Sequence, residues 1–397
     1  MTKKIRLSFL CLSFSIFSLW CLDASAQKAS ARTEGIKEIK DVPVASLTKG
    51  VWLKGDLHVH SNHSQDNKAS YTHPLPKIFA YADSVGMGFI CITDHDNHVV
   101  GDVAHHTWAD PAFKSNSLVL LYGAEWTTTR GHGNVFSAKP YDHQRLFDVR
   151  DKRDVAVGKV KDELGVHLSA NHPIGKDNFG FSYDIVESIE VWNSAKWSKN
   201  ANAIMIWDDM LSSGRKITGR GGSDAHIRTS YSYIGTPTTW VFAKAKTAQD
   251  VVDALTNGRV SVSANPYAPR VAFYADLDDD GKMDMMMGDN AKAKGKPVKF
   301  RVQLTGNTVA DSTYTIEVVK GTSNGLKDGR EHKTYKCTGK EAQIEFVDTP
   351  AVNERTYFRV TVNGPATPFP AVKHATELSE NMVGLSNPIY FNFDPDF

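Results

Sequence analysis

The chain has 397 residues, 41% hydrophobic and 23% charged, with 46 Lys plus Arg against 45 Asp plus Glu. That balance excludes a disordered chain, a collagen-like repeat and a small disulfide-stapled scaffold. A net charge of +1 leaves no global basic field to draw in nucleic acid. The unusual feature is 15 histidines, most of them between His58 and His143.

Lys3, Lys4 and Arg6 precede an apolar run from Leu7 to Leu22, and Ala24-Ser25-Ala26 follows as a small-x-small cleavage pattern. Residues 1–26 are expected to be a signal peptide, which makes the mature protein exported, periplasmic or extracellular. The run is short for a bilayer span, and no later stretch is apolar for long enough, so no membrane span is expected after cleavage. Of the cysteines, Cys91 and Cys337 remain, and no disulfide between them is expected. Residues 27–50 are polar and mixed and read as a loose arm.

From residue 51 the pattern is strand, helix, strand. Val51–His60 alternates as a strand. Pro74–Val85 has a helix-start proline, apolar spacing and a stop at Gly86. Phe89–Thr93, Leu118–Ala124, Val135–Ala138, His167–Asn171 and Ser188–Trp192 read as short strands, and Val155–Leu164, Asn200–Leu211 and Ala248–Thr256 as helices. Such alternation predicts parallel βα units, hence a barrel or an open α/β sheet, over residues 51–266. Asn265-Pro266-Tyr267-Ala268-Pro269 breaks the pattern. After it, Arg270–Tyr274, Val298–Leu304, Tyr314–Val319, Gln343–Phe346, Tyr357–Val362 and Ile389–Phe391 alternate as strands. Residues 267–397 therefore read as a C-terminal β-sandwich-like domain.

The chemistry-bearing residues recur at strand ends. In Asp56-Leu57-His58-Val59-His60, a period of two sends His58, His60 and Asp56 to one face. Two imidazoles together at a strand end suit a metal ion. A histidine pair alone also fits a solvated face, but the arrangement repeats. His95 follows the apolar strand Phe89–Ile92, and Glu125 ends Leu118–Tyr122. His132 opens the next strand, His172 ends another, and Asp224 and His226 share a face after Gly221-Gly222. The carboxyl ends of parallel strands converge on one site. Arg130, Lys176, Arg220 and Arg228 lie beside these motifs and are candidates to bind a substrate anion. His105, His106 and Trp108 read as a surface helix or capping loop, and His167 as a core histidine. Asp94 points away from His95 and is a candidate to bond a neighbouring strand end. In Asp276–Asp284, Asp276, Asp278, Asp280 and Asp284 stand at positions 1, 3, 5 and 9 of a calcium-type loop with Gly281 at 6, but Met287 replaces the glutamate at 12. Structural calcium at Asp276, Asp278 and Asp280 and a solvated acidic turn both fit.

The ordered series DLHVHS, TDH, GAEW, GHGN, NHP and GSDAH resembles the PHP (polymerase and histidinol phosphatase) superfamily of metal-dependent hydrolases, and within it the CehA/McbA-like branch. The resemblance spans roughly residues 50–265 and implies a distorted (β/α)7 barrel with two or three divalent ions. It implies that His58, His60, Glu125 and Asp224 hold one metal, and that Glu125 bridges to a second held by His132 and His172. Asp66, His95 and His226 would hold a third, with His63 a rival to Asp66. Donors of N and O without thiolate suit Zn, Mn or Fe. The expected activity is hydrolysis of a small anionic phosphomonoester or phosphodiester by a metal-bridged hydroxide. Glu125, Asp224 and His226 would stand at the reacting centre, with Arg228 on the substrate anion. One alternative keeps the metals and hydrolyses a carbamate, ester or amide. The other is a non-catalytic binding protein on the same scaffold.

Overall fold

A computed structural model describes residues 44–47, 49–64, 74–96, 105–175, 178–226, 233–323, 329–369 and 373–393. The expected signal peptide, Asp66, Lys176 and Arg228 lie outside the described residues. Residues 38–397 group as one compact unit.

The first part of the chain runs β1 (Val51–Asp56), α1 (Leu75–Ser84), β2 (Phe89–Cys91), α2 (His105–Trp108), β3 (Val119–Thr128) and β4 (Gly131–Ser137). It continues with α3 (Gln144–Phe147), α4 (Asp154–Leu164), β5 (His167–Ala170), β6 (Ser188–Asn193) and α5 (Ala201–Ser212). It ends with β7 (Thr218–Gly222), β8 (Thr238–Ala243), α6 (Ala248–Thr256) and β9 (Val260–Ser263). The local causes are ordinary. Pro74 caps α1 from an extended backbone, and Leu75, Ile78, Phe79 and Ala82 bury one stripe of it. Gly165, at φ 62°, ends α4 in the left-handed region. The Thr247 hydroxyl accepts from the Asp250 N–H and starts α6.

These strands lie in the order β9-β8-β1-β2-β3-β4-β5-β6-β7. Neighbours are parallel across β1–β2–β3 and across β5–β6–β7. They are antiparallel across β3–β4–β5 and across β1–β8–β9. The architecture is thus mixed α/β, rich in strands and sparing in helices, and its sheets do not form a clear (β/α)7 barrel. One cause is visible at β3–β4, where only Thr129 and Arg130 separate the strands. A link that short makes a hairpin and cannot carry a crossover helix. At the far edge β7 is tied back to β8 and β9. Thr239 Oγ1 bonds Gly221 N and O at 3.0 and 2.9 Å. Asn387 Nδ2 donates to the carbonyls of Gly219 and Val260 at 2.7 and 2.9 Å.

The remainder comprises β10 (Arg270–Asp276), β11 (Met285–Met286), β12 (Asn290–Ala291), β13 (Val298–Thr305), β14 (Thr313–Thr322) and β15 (Glu331–Thr338). Then come β16 (Gln343–Asp348), β17 (Thr356–Asn363), α7 (Lys373–Leu378), β18 (Met382–Ser386) and β19 (Ile389–Phe391). Strands β11-β10-β13-β16 form a sheet of their own. The others extend the large sheet, which crosses from β9 to β18 with Leu385 opposite Val262. Side chains of both sheets share one core. Phe300 of β13 stacks on Phe346 of β16 at 4.9 Å and meets Phe358 of β17 at 4.6 Å. Each such ring contributes about 1.5–3 kcal/mol by leaving water. Val44 is buried in that core and bridges Met283, so this part of the stretch expected to be a loose arm is packed. Cys91 and Cys337 are both buried free thiols. Among the described residues no helix is long and apolar enough to cross a membrane.

Candidate metal centre

Local structure past the strand ends brings the ligand candidates together. Beyond β1 the chain bends at Leu57, and Val59 then bridges Ala225 as His95 bridges Glu125. Asp56 is the clasp. Its buried carboxylate accepts from the N–H groups of His58 and Ser223, both at 3.1 Å, and of Gly235 at 2.7 Å. Asp94 does similar work, accepting from Ser61 N, Ser61 Oγ and Thr107 Oγ1 at 2.6, 2.7 and 2.7 Å. His172 and Asp224 both have positive φ, 22° and 53°, a backbone state non-glycine residues seldom adopt.

Glu125 is the centre of the cluster. Its Oε1 lies 3.0 Å from His132 Nδ1, 3.2 Å from His172 Nε2 and 3.5 Å from His58 Nε2. Its Oε2 lies 2.8 Å from His95 Nδ1 and 3.4 Å from His60 Nε2. Asp224 Oδ1 is 3.4 Å from His58 Nε2 and 3.3 Å from His60 Nε2. The His226 ring stacks on His60 with centroids 3.9 Å apart. Four overlapping groups have donor atoms within 4.8 Å of one another: His58, His60 and Glu125; His95, Glu125 and His132; His58, His172 and Asp224; His60, His95 and His226. Eight of the expected ligands are therefore side by side. His132 and His172 both approach Glu125 Oε1, and the same distances also set His132 beside His95, and His172 beside His58 and Asp224.

The donor set fits divalent cations. His58 Nε2 is buried and makes no hydrogen bond, although two carboxylates face it. Burial works to lower the His58 pKa, but Asp224, Glu190 and Glu125 raise it to about 10. Burial, with His226 and His95 alongside, lowers His60 to about 4. Burial opposes ionisation of Glu125 and Asp224, yet the neighbouring histidines hold both well below the usual carboxylate range. Ionised carboxylates and a neutral His60 are in the state that metal binding requires, whereas His58 must release a proton to ligate. Buried clusters of this kind are able to hold metal ions.

Other candidates fall elsewhere. His63 pairs with Asp110 at 3.0 Å, and His167 is a core residue bonded to Thr256 and Ser188. The Arg130 guanidinium binds Asp154 at 2.7 Å and lies over the Phe181 ring. Arg220 is fully buried, bonded to Ser169, Glu190 and Asn171, so it is not available to a substrate anion. In the acidic loop Asp276, Asp278 and Asp284 lie close together. Asp280, expected as the third calcium ligand, instead bonds Lys282 at 2.8 Å. The Asp276 carboxylate accepts from the N–H groups of Asp278, Asp279 and Gly281.

Three further residues at the centre were not expected there, although Asn171 opens the NHP motif. Asn171 Nδ2 donates to Glu125 Oε1 at 2.9 Å, and Asn193 Nδ2 to Asp224 Oδ2 at 3.3 Å. Glu190 Oε1 is 3.0 Å from His58 Nδ1. Its one signal was a carboxylate alone in the apolar run Ile189 to Trp192. No family model, curated protein or solved structure matches the chain.

Proposed function

We propose that the protein is an exported metal-dependent hydrolase, built on a PHP-like α/β scaffold with a β-rich C-terminal part, that cleaves small anionic phosphomonoesters or phosphodiesters. The observation that carries this reading is the fully buried Glu125 carboxylate with five histidines within 3.5 Å. His58, His60, Glu125 and Asp224 would hold one divalent ion, with Glu125, His95, His132, His172 and His226 sharing the others. Zn, Mn or Fe bound there would supply Lewis acidity and an acidified water.

The chain's own residues set the direction of approach. Glu125 and His58 have no exposed side-chain surface, whereas His132, Asp224 and His226 are each 24% exposed. A substrate therefore enters over His132, Asp224 and His226. His226 Nδ1 lies 3.0 Å from the Asp224 carbonyl oxygen. Donating there would leave Nε2 as the unprotonated ring nitrogen. Glu125 would offset the charge of the cations that it helps to hold. Arg228 would bind the anionic end of the substrate.

A second reading, hydrolysis of a carbamate, ester or amide, draws on one observation. Arg130 and Arg220, two of the candidate phosphate clamps, are both engaged with other partners. The test is a panel of phosphomonoesters, phosphodiesters, carbamates and carboxyl esters, run before and after exhaustive chelation. Phosphoester hydrolysis should be lost on chelation and restored by Mn or Zn. Activity that survives chelation would contradict a metal mechanism, and exclusive cleavage of carbamates or esters would select the second reading.

A further inference from the structure

A carboxylate inside an apolar strand must find partners or cost the fold dearly. Glu190, on β6 and fully buried, finds four. Its Oε1 lies 3.0 Å from His58 Nδ1 and accepts from Arg220 Nη1 at 2.8 Å. Its Oε2 accepts from the His172 backbone N–H at 3.0 Å and from Asn193 Nδ2 at 3.1 Å. Asn193 in turn touches Asp224. One side chain thus reaches ligand candidates after β1, β5 and β7. Arg220 orients it from behind, donating also to Ser169 Oγ and Asn171 Oδ1, both at 2.6 Å. Asn171 then donates to Glu125.

The backbone is shaped for this pair. A Cβ at Gly222 would collide with Glu190 Oε1 and lie 2.6 Å from His58 Cβ and 2.9 Å from Arg220 Nη1. Glycine at 222 admits the carboxylate and guanidinium beneath the histidine. The bond from the His172 N–H also supports a residue held at φ 22°.

We propose that Glu190, oriented by Arg220, is a positioning residue that sets the metal affinity of the centre; the proposal rests on the metal-centre reading above. A carboxylate accepting from His58 Nδ1–H fixes the tautomer that leaves Nε2 to ligate. The same carboxylate holds the His172 backbone, and through Asn193 it is linked to Asp224. A glutamine can accept at only one end, so it cannot serve both His58 and the His172 and Asn193 donors.

The test measures Zn²⁺ affinity by competition with a chromogenic chelator for wild type, Glu190→Gln and the double variant Glu190→Gln/Arg220→Met. Thermal unfolding of each metal-free protein is measured alongside. The single variant leaves Arg220 buried without its counter-charge and is vulnerable on that ground alone. The double variant removes both charges at similar volume. It should unfold close to wild type yet bind Zn²⁺ about 10–100-fold more weakly. Recovery of wild-type affinity together with stability would show that the pair only supports the fold, and would overturn the proposal. NMR of the ¹⁵N-histidine-labelled, Zn²⁺-loaded wild type reads the tautomer directly. A His58 Nδ1–H signal is expected, and metal bound at His58 Nδ1 would overturn the proposal. Wild type that binds no Zn²⁺ would overturn the metal centre and the proposal together, whereas equal binding by wild type and double variant defeats the positioning role alone.

Discussion

At the scale of single residues, two histidines two positions apart are driven in opposite directions. Opposing carboxylates raise His58 to about 10, while burial and the neighbouring imidazoles lower His60 to about 4. The difference comes from placement, because His58 stands between Glu190, Glu125 and Asp224, whereas His60 stacks on His226 and meets His95. Glu125 is the one group that five histidines share. Glu125→Gln keeps the size and removes the charge that would offset bound cations. Turnover should fall about a hundredfold or more, with metal content falling in parallel. The check is steady-state kinetics together with elemental analysis. A variant with full metal content and near-normal turnover would remove Glu125 from the centre of the account.

At the scale of elements, ion pairs clamp strand to strand. Asp348, at the end of β16, bonds Lys320 of β14 at 2.8 Å and Lys333 of β15 at 3.0 Å. Partial burial works to raise its pKa, but the two ammonium groups hold it below the ordinary value. A carboxylate with a depressed folded pKa stabilises above its unfolded pKa, and that stability is lost as pH falls through the folded value. Asp348→Asn should therefore cost about 1 kcal/mol at neutral pH, with the difference closing below the carboxylate range. Denaturant unfolding of both proteins at neutral and acid pH checks this, and a deficit that persists in acid would mean packing rather than charge.

The elements also show what the sequence made readable. Helix α6 falls on its expected residues, and α1, α4 and α5 lie within a residue or so of theirs, because apolar spacing and end signals are local. Strand β7 was hidden because three of its five residues are glycine. Those glycines answer to distant neighbours, Gly219 to Trp207 and Gly221 to Val262. Strand direction was the larger miss, since pairing is set by partners far along the chain. Eight ligand candidates were legible because each sits in a short motif at a strand end. Glu190 was not, because one carboxylate in an apolar run has no spacing to read. The role of Arg220, one of four anion candidates, was hidden for the same reason, its partner lying 30 residues away on another strand.

At the scale of the molecule, the large sheet joins the candidate metal centre to the C-terminal strands. Asn387 ties β7 to β9 from the loop after β18, and the Arg359 guanidinium on β17 grips Asp208 of α5 at 2.7 Å. The ligand candidates come from residues 58 to 226, so the cluster exists only when most of the α/β part is folded. Cations that bind the folded chain alone must then stabilise the whole unit, by about 2.7 kcal/mol at a hundredfold excess over Kd.

The most direct measurement is the metal content of the purified protein, with its thermal midpoint before and after chelation. The account predicts two or three equivalents of Zn, Mn or Fe per chain. It also predicts a midpoint that falls on chelation and recovers with Zn²⁺ or Mn²⁺, and a Glu125→Gln variant that has lost most of both. A chain that carries no transition metal, takes up none, and unfolds at the same temperature with and without chelator would contradict it.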